Sequence, residues 1–228
     1  MNVGILETGK PPVALRRRFP DYPAMFADLL GPGFTVTAYD VEAGAFPASP
    51  EAHPAFLVTG SPAGVYDDLP WMAPLKDFLR ATKGKAKLVG ICFGHQIMAE
   101  AFGGRVEKSE RGWGVGLQTL QVCGAAPFLG PEQAVSIPAS HQDQIVVQPP
   151  ASRVLAANAF SPYGVLLYED QPALSMQFHP EFTPDFAKAL IEARRASLPQ
   201  PDQALASLDQ PNDREAVGGW IRRFLLED

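Results

Sequence analysis

Cys92 has the surroundings in this chain that most invite chemistry. It follows the apolar run Lys87-Leu88-Val89-Gly90-Ile91 and precedes Phe93-Gly94-His95-Gln96, so glycines stand two positions before and two after it. The run before it has the length of a buried strand, and Ile97, Met98, Ala101 and Phe102 recur at helical spacing before Gly103-Gly104. A tight strand-to-helix turn needs flanking positions without bulk, and it leaves its central side chain exposed at the top of a sheet. The helix start favours negative charge on a sulfur placed there. The Phe93 N–H would point toward the oxyanion formed when that sulfur attacks a carbonyl. An isolated cysteine is more often a small buried apolar residue; the paired glycines at a strand end set Cys92 apart. Cys123 has no helix start or glycine-flanked turn to activate it and reads as structural.

A second strand-end group lies far downstream. Ala173-Leu174-Ser175-Met176-Gln177 is an apolar run that delivers Phe178-His179-Pro180-Glu181. An imidazole that takes a thiol proton on one nitrogen needs its other N–H held by an acceptor, and a carboxylate does this best. Pro180 fixes a backbone dihedral and keeps the pair out of a helix, so His179 and Glu181 can fold back on one another. A lone His-Pro-Glu is also compatible with a solvated strand end. Its placement matches that of Cys92, which makes His179 the candidate base and Glu181 its orienter.

These groups need a frame. Val3–Leu6, Phe34–Tyr39, Ala55–Thr59 and Lys87–Ile91 read as strands, and the spacing predicts helices over Tyr22–Leu30 and about Trp71–Ala81. Such alternation implies an α/β fold, a three-layer sandwich whose mostly parallel central sheet is covered on both faces. Reactive groups then gather outside the carboxyl ends of the strands, in the loops after Leu6, Thr59 and Ile91. From Val106 to about Gln177 the chain carries short β-type runs separated by turn residues, which predicts a small antiparallel excursion. Thr183-Pro184 caps a helix running to about Ala196. Residues 1–196 are expected to form one domain. Residues 197–228 are expected to add a Pro/Gln/Asp-rich surface linker, Leu198–Asn212, and a last helix, Asp213–Leu226, packed on the outside of that domain. His95 reads as a structural residue at a helix start, and His53, beside Pro54, as exposed.

Composition narrows the functional classes. The 228 residues are 46% hydrophobic and carry a formal net charge of -6, so a sizeable core is available and a phosphate-gripping nucleic-acid binder is disfavoured. Arg16-Arg17-Arg18, the one dense basic run, is as well explained by a solvated turn. The N-terminal MNVGILETGK has too short an apolar run for a signal-peptide core, and no stretch approaches the length of a membrane span. With two cysteines in unlike settings, the expectation is a reduced, cytoplasmic protein. The four histidines and two cysteines show no ligand spacing, so no metal is expected.

Taken together, Gly90-Ile91-Cys92-Phe93-Gly94-His95-Gln96 and Phe178-His179-Pro180-Glu181 resemble the class I glutamine amidotransferase domain, over about Met1 to Ala196. This family includes the glutaminase domains of GMP synthetase and anthranilate synthase. The resemblance implies a flavodoxin-like fold and a Cys92-His179-Glu181 triad. It also implies that Gly60, in Thr59-Gly60-Ser61-Pro62, supplies an oxyanion donor beside Phe93. Gln96 and the Ser140-His141-Gln142-Asp143 segment, through Ser140, His141 and Asp143, would line the substrate pocket, with Trp113-Gly114-Val115-Gly116 at a nearby turn. The implied activity is hydrolysis of γ-glutamyl amide bonds through a thioester, with a small γ-glutamyl substrate and no cofactor.

Family domains usually feed ammonia to a synthetase, whereas the stretch after Ala196 is too short for one and no Walker-type phosphate loop is present. The chain thus looks more like the stand-alone branch that includes plant γ-glutamyl peptidases. Two other readings stay open: an ammonia-supplying subunit that needs a separate synthetase chain as partner, and a catalytically silent ligand-binding protein.

Overall fold

The computed structural model describes residues 1–227. Five parallel strands form the heart of a nine-stranded sheet: β1 (Asn2–Glu7), β2 (Thr35–Asp40), β3 (Ala55–Val58), β4 (Lys87–Ile91) and β11 (Ala173–Met176), in the order β2-β1-β3-β4-β11. The inner strands β1, β3, β4 and β11 are mostly apolar and buried because both of their faces are covered, whereas edge strand β2 is only partly buried and carries Thr35, Thr37 and Asp40. Val3, Ile5, Leu57, Val89, Ile91 and Met176 point to one layer, built from α1 (Tyr22–Leu30) and α6 (Arg214–Leu226). Leu6, Phe56, Val58 and Leu88 point to the other, built from α2 (Met72–Ala81) and α3 (Phe93–Ala101).

The β-rich middle does not stand apart from this sheet. β6 (Gly114–Val122), β7 (Ala134–His141), β9 (Ser152–Ala157) and β10 (Val165–Tyr168) extend it antiparallel beyond β11, in the order β10-β9-β6-β7. Among the described residues, only β5 (Arg105–Lys108) and β8 (Asp143–Val147) form a separate ribbon.

The C-terminal part is more ordered than its composition suggests. Within the expected linker, Pro201–Ser207 forms α5, which buries Ala204 against α4 (Pro184–Ala193). Ser207 Oγ accepts the Leu117 N–H at 2.8 Å, and Gly116, at φ +82°, lets α5 approach β6. A Cβ there would lie 2.9 Å from the Ala204 carbonyl oxygen. In α6 the apolar positions Val217, Trp220, Ile221, Phe224 and Leu225 recur at helical spacing and all join the main core. This helix completes a layer of the sandwich.

Two single-residue expectations are corrected. His53 is buried, with Tyr39 Oη 2.8 Å from its Nε2 and Phe56 edge-on to its ring, because β3 begins just after it. Cys123 is exposed rather than structural, since it lies past the end of β6.

Candidate active site

β4 ends at Ile91, α3 begins at Phe93, and Cys92 between them adopts φ +54°, ψ -103°. For a residue with a Cβ this is a strained backbone, of the kind that concentrates at functional sites. The neighbouring glycines make it possible. A Cβ on Gly94 would sit 2.3 Å from the Val58 carbonyl oxygen, and one on Gly90 would sit 2.6 Å from the Gly94 carbonyl oxygen. The elbow is tied down by Cys92 N–H donating to the Met176 carbonyl (2.9 Å) and Gly94 N–H to the Thr59 carbonyl (3.1 Å). Phe93 opens α3, so its N–H is one of those a helix leaves without an internal acceptor.

β11 carries its chain to the same end of the sheet. His179 and Glu181 are both buried, and His179 Nδ1 donates to Glu181 Oε1 at 2.7 Å. Phe182 lies flat against the imidazole, centroids 3.9 Å apart and planes 5° apart, which fixes the ring. Burial alone would lower the His179 pKa; the charges of Glu181 and of the nearby Cys92 sulfur outweigh this and hold it above the ordinary histidine value. Gly60 lies between the two side chains. A Cβ there would be 3.1 Å from His179 Cε1 and 3.7 Å from Cys92 Cβ. Thus the loops after β3, β4 and β11 bring Gly60, Cys92, Phe93, His179 and Glu181 to one place.

Cys92 is buried, at 6% exposure, rather than exposed at the top of the sheet as the turn predicts, and it lines the wall of a cleft of about 490 Å³. Gln96, Ser140, His141 and Asp143 line it, as do Tyr66, Lys108, Trp113 and Arg194. Gln96 Nε2 donates to the Asp143 carbonyl (2.9 Å) and to Gln177 Oε1 (3.1 Å), which ties α3 to the start of β8. Ser140 and His141 are the last residues of β7 and not loop residues. Burial pushes the His141 pKa down to about 4, and the backbone carbonyl of Asp143 lies 3.2 Å from its Nδ1. Asp143 accepts the Tyr66 hydroxyl at 2.9 Å; burial raises its pKa, against the effect of that bond and of Lys108.

Sequence reasoning passed over several of these groups. Arg194 reads as half of a surface Arg-Arg pair at the end of α4, yet its Nη1 donates to Ser140 Oγ at 3.1 Å. Arg214, at the start of α6, donates through Nε to the Pro180 carbonyl (2.8 Å) and through Nη2 to the Glu181 carbonyl (3.2 Å). It clamps the turn that sets His179 against Glu181. Tyr66 and Lys108 carry no motif. Nothing in their neighbours along the chain signals that they meet Asp143.

A family model, glutamine amidotransferase class-I, matches residues 33–195. The chain belongs to the class-I glutamine amidotransferase family. Among similar members is a glutamine amidotransferase-like protein of Schizosaccharomyces pombe, 28% identical over 247 aligned residues that cover 99% of each chain. The glutamine-hydrolyzing GMP synthase of Thermus thermophilus is 36% identical over 56% of this chain, a match that spans 24% of that longer protein. γ-Glutamyl peptidase 4 of Arabidopsis thaliana is 28% identical over 78% of this chain and 74% of its own length. The fold is shared with a glutamine amidotransferase of Thermotoga maritima at a TM-score of 0.81 and 17% identity, covering 100% of this chain and 99% of that one. Among the described residues of this amidotransferase-family chain, no His/Cys/Asp/Glu cluster is arranged to hold a metal ion. No helix there is long and apolar enough to cross a membrane.

Proposed function

We propose that this chain is a cysteine-dependent hydrolase of γ-glutamyl amide bonds. The observation that carries the proposal is the convergence of a strained, helix-capping Cys92 and a buried, carboxylate-backed His179 on either side of Gly60. The Cys92 thiolate attacks the γ-carbonyl carbon of a glutamyl group and forms a C–S bond. The N–H groups of Gly60 and Phe93 hold the resulting oxyanion. His179, with Nδ1 engaged by Glu181, has its other ring nitrogen free to give a proton to the departing amine as the C–N bond breaks. The product is a γ-glutamyl thioester. His179 next takes a proton from water, the hydroxide adds to the thioester, and the thiolate leaves as glutamate is released. Gln96, Ser140, His141 and Asp143 line the space for the glutamyl group.

The similarity to Arabidopsis γ-glutamyl peptidases, covering up to 78% of this chain, supports a γ-glutamyl substrate. The match to the glutaminase part of GMP synthases favours a second reading, in which the same chemistry supplies ammonia to a separate synthetase. The two readings part on whether the chain works alone. Glutamate release from glutamine and from γ-glutamyl amines, by the purified chain and its Cys92→Ala variant, tests the proposal. Sustained release by the native chain, falling by at least ~1,000-fold in Cys92→Ala, is expected. Release that survives the substitution overturns the mechanism, and release that begins only with a synthetase present selects the second reading.

A further inference from the structure

The wide cleft is lined by Cys92 and not by His179. A narrow chamber beside it is lined by both, with Tyr22, Gly60, Ser140 and Arg194 also in its wall. Its volume is about 20 Å³, and a cavity needs about 10–15 Å³ to hold one water. A glutamyl group or a substituted amine is far too large for it. Thioester hydrolysis needs one molecule of this size in this position: a water beside the acylated sulfur, whose proton the imidazole can take.

A buried water also needs about two to four polar partners. Tyr22 offers an uncommitted one. It is 6% exposed, and its hydroxyl has no hydrogen-bond partner among the described residues. Burial raises its pKa, so the hydroxyl stays neutral and can both donate and accept. The charges of Arg194, Glu181 and Cys92 all act on it, which places it at the triad. Its ring is held in a fixed relation to the base. Tyr22 stacks on Phe182 with centroids 6.0 Å apart, and Phe182 in turn lies flat on the His179 imidazole at 3.9 Å. Phe186 meets the Tyr22 ring edge-on, and Asp21 Oδ1 caps the helix start by accepting the Ala24 N–H at 2.9 Å. Elsewhere in the wall, Arg194 Nη1 donates to Ser140 Oγ at 3.1 Å, which leaves the Ser140 proton and the other guanidinium N–H groups as further donors.

We propose that this chamber stations the water that hydrolyses the γ-glutamyl thioester, and that Tyr22 is the residue that positions it. The proposal rests on the hydrolase reading above and adds how the second half of the cycle finds its nucleophile. The water oxygen bonds to the γ-carbonyl carbon and one water proton passes to His179. The C–S bond then breaks, which returns the Cys92 thiolate and frees the γ-carboxyl group. Tyr22 acts through the water and not on the bond broken in acylation. A chamber closed to larger molecules also favours water over amines as the acceptor, so the chain hydrolyses rather than transfers.

Rapid-quench single turnovers of glutamine and of γ-glutamylmethylamide test this, with and without hydroxylamine, a competing acceptor that attacks without a base. Amine release reports acylation, and the ratio of γ-glutamyl hydroxamate to glutamate reports how the thioester partitions. Tyr22→Phe is expected to slow thioester hydrolysis by about 10-fold, the worth of one hydrogen bond. It should leave the rate of amine release unchanged and raise the hydroxamate-to-glutamate ratio by the same factor. Ser140→Ala removes another polar partner from the chamber and is expected to shift the partition in the same direction; it decides the matter if Tyr22→Phe misfolds. A partition unchanged in both variants overturns the inference. So does a Tyr22→Phe that slows amine release and hydrolysis by one common factor, which would assign Tyr22 to packing around His179. If neither compound shows amine release that depends on Cys92, the hydrolase reading fails and takes the inference with it. That outcome is visible with the native chain and Cys92→Ala alone.

Discussion

The residue on which the chemistry turns is His179, and its environment sets the sign of its pH response. Burial opposes a charged imidazole, but Glu181 at 2.7 Å and the adjacent sulfur favour it, and they prevail. In the proposed cycle His179 must carry a proton when the amine departs, so activity is lost as pH rises through its raised pKa. Glu181→Gln removes the largest favourable charge and lowers that pKa. The alkaline limb of kcat/KM is therefore expected to move to lower pH in the variant, with the maximal rate reduced by about 10- to 100-fold as the ring loses its orienter. A limb that stays in place would assign the titration to another group. The pairing of His179 with Glu181 was legible in the sequence because Pro180 joins them. The clamp by Arg214 was not, since it comes from a helix far along the chain.

At the scale of elements, the site exists because β4 and α3 meet in a turn that only small residues permit. Gly94 is the tightest point of this turn: an added Cβ would meet the Val58 carbonyl of β3 at 2.3 Å, a backbone group that cannot swing aside. Gly94→Ala must push α3 away from Val58 or bend β3, and overpacking of this kind costs about 1–3 kcal/mol, here toward the upper end because the obstacle is a carbonyl. Urea unfolding checks this, and a midpoint equal to that of the native chain would mean that the elbow is looser than its geometry indicates. The strand–turn–helix around Cys92 was readable from one stretch of sequence because strand, glycines and helix periodicity are all local. The helix over Pro201–Ser207 was not: it is short and rich in polar residues, and it is held by β6 and α4 rather than by its own propensity. For the same reason β6, β7, β9 and β10 could be recognised as strands but not placed in the main sheet, where long-range pairing decides their order.

At the scale of the whole molecule, the sandwich buries neutral histidines as well as apolar side chains. Burial holds the His95 pKa down to about 3 and that of His141 to about 4. In the unfolded chain both take protons near the ordinary value of ~6.5, so between there and pH 5 the unfolded state binds more protons and stability falls as pH drops. Each histidine contributes a slope of up to about 1.4 kcal/mol per pH unit in that window. His179 acts in the opposite sense: its raised pKa stabilises the fold below ~6.5, and that contribution is lost as pH rises through the folded value. Urea midpoints between pH 7 and 5 are expected to decline, and a flat profile would show that His95 and His141 are not kept neutral in the fold.

All of this converges on a covalent intermediate at one sulfur. The measurement that tests it most directly is acid quenching of the protein during turnover of a γ-glutamyl substrate, followed by mass analysis of its peptides. The account predicts a γ-glutamyl adduct on the peptide containing Cys92, accumulating within a single turnover and absent from Cys92→Ala. Turnover with no adduct on that peptide, or an adduct on the exposed Cys123 instead, would contradict it.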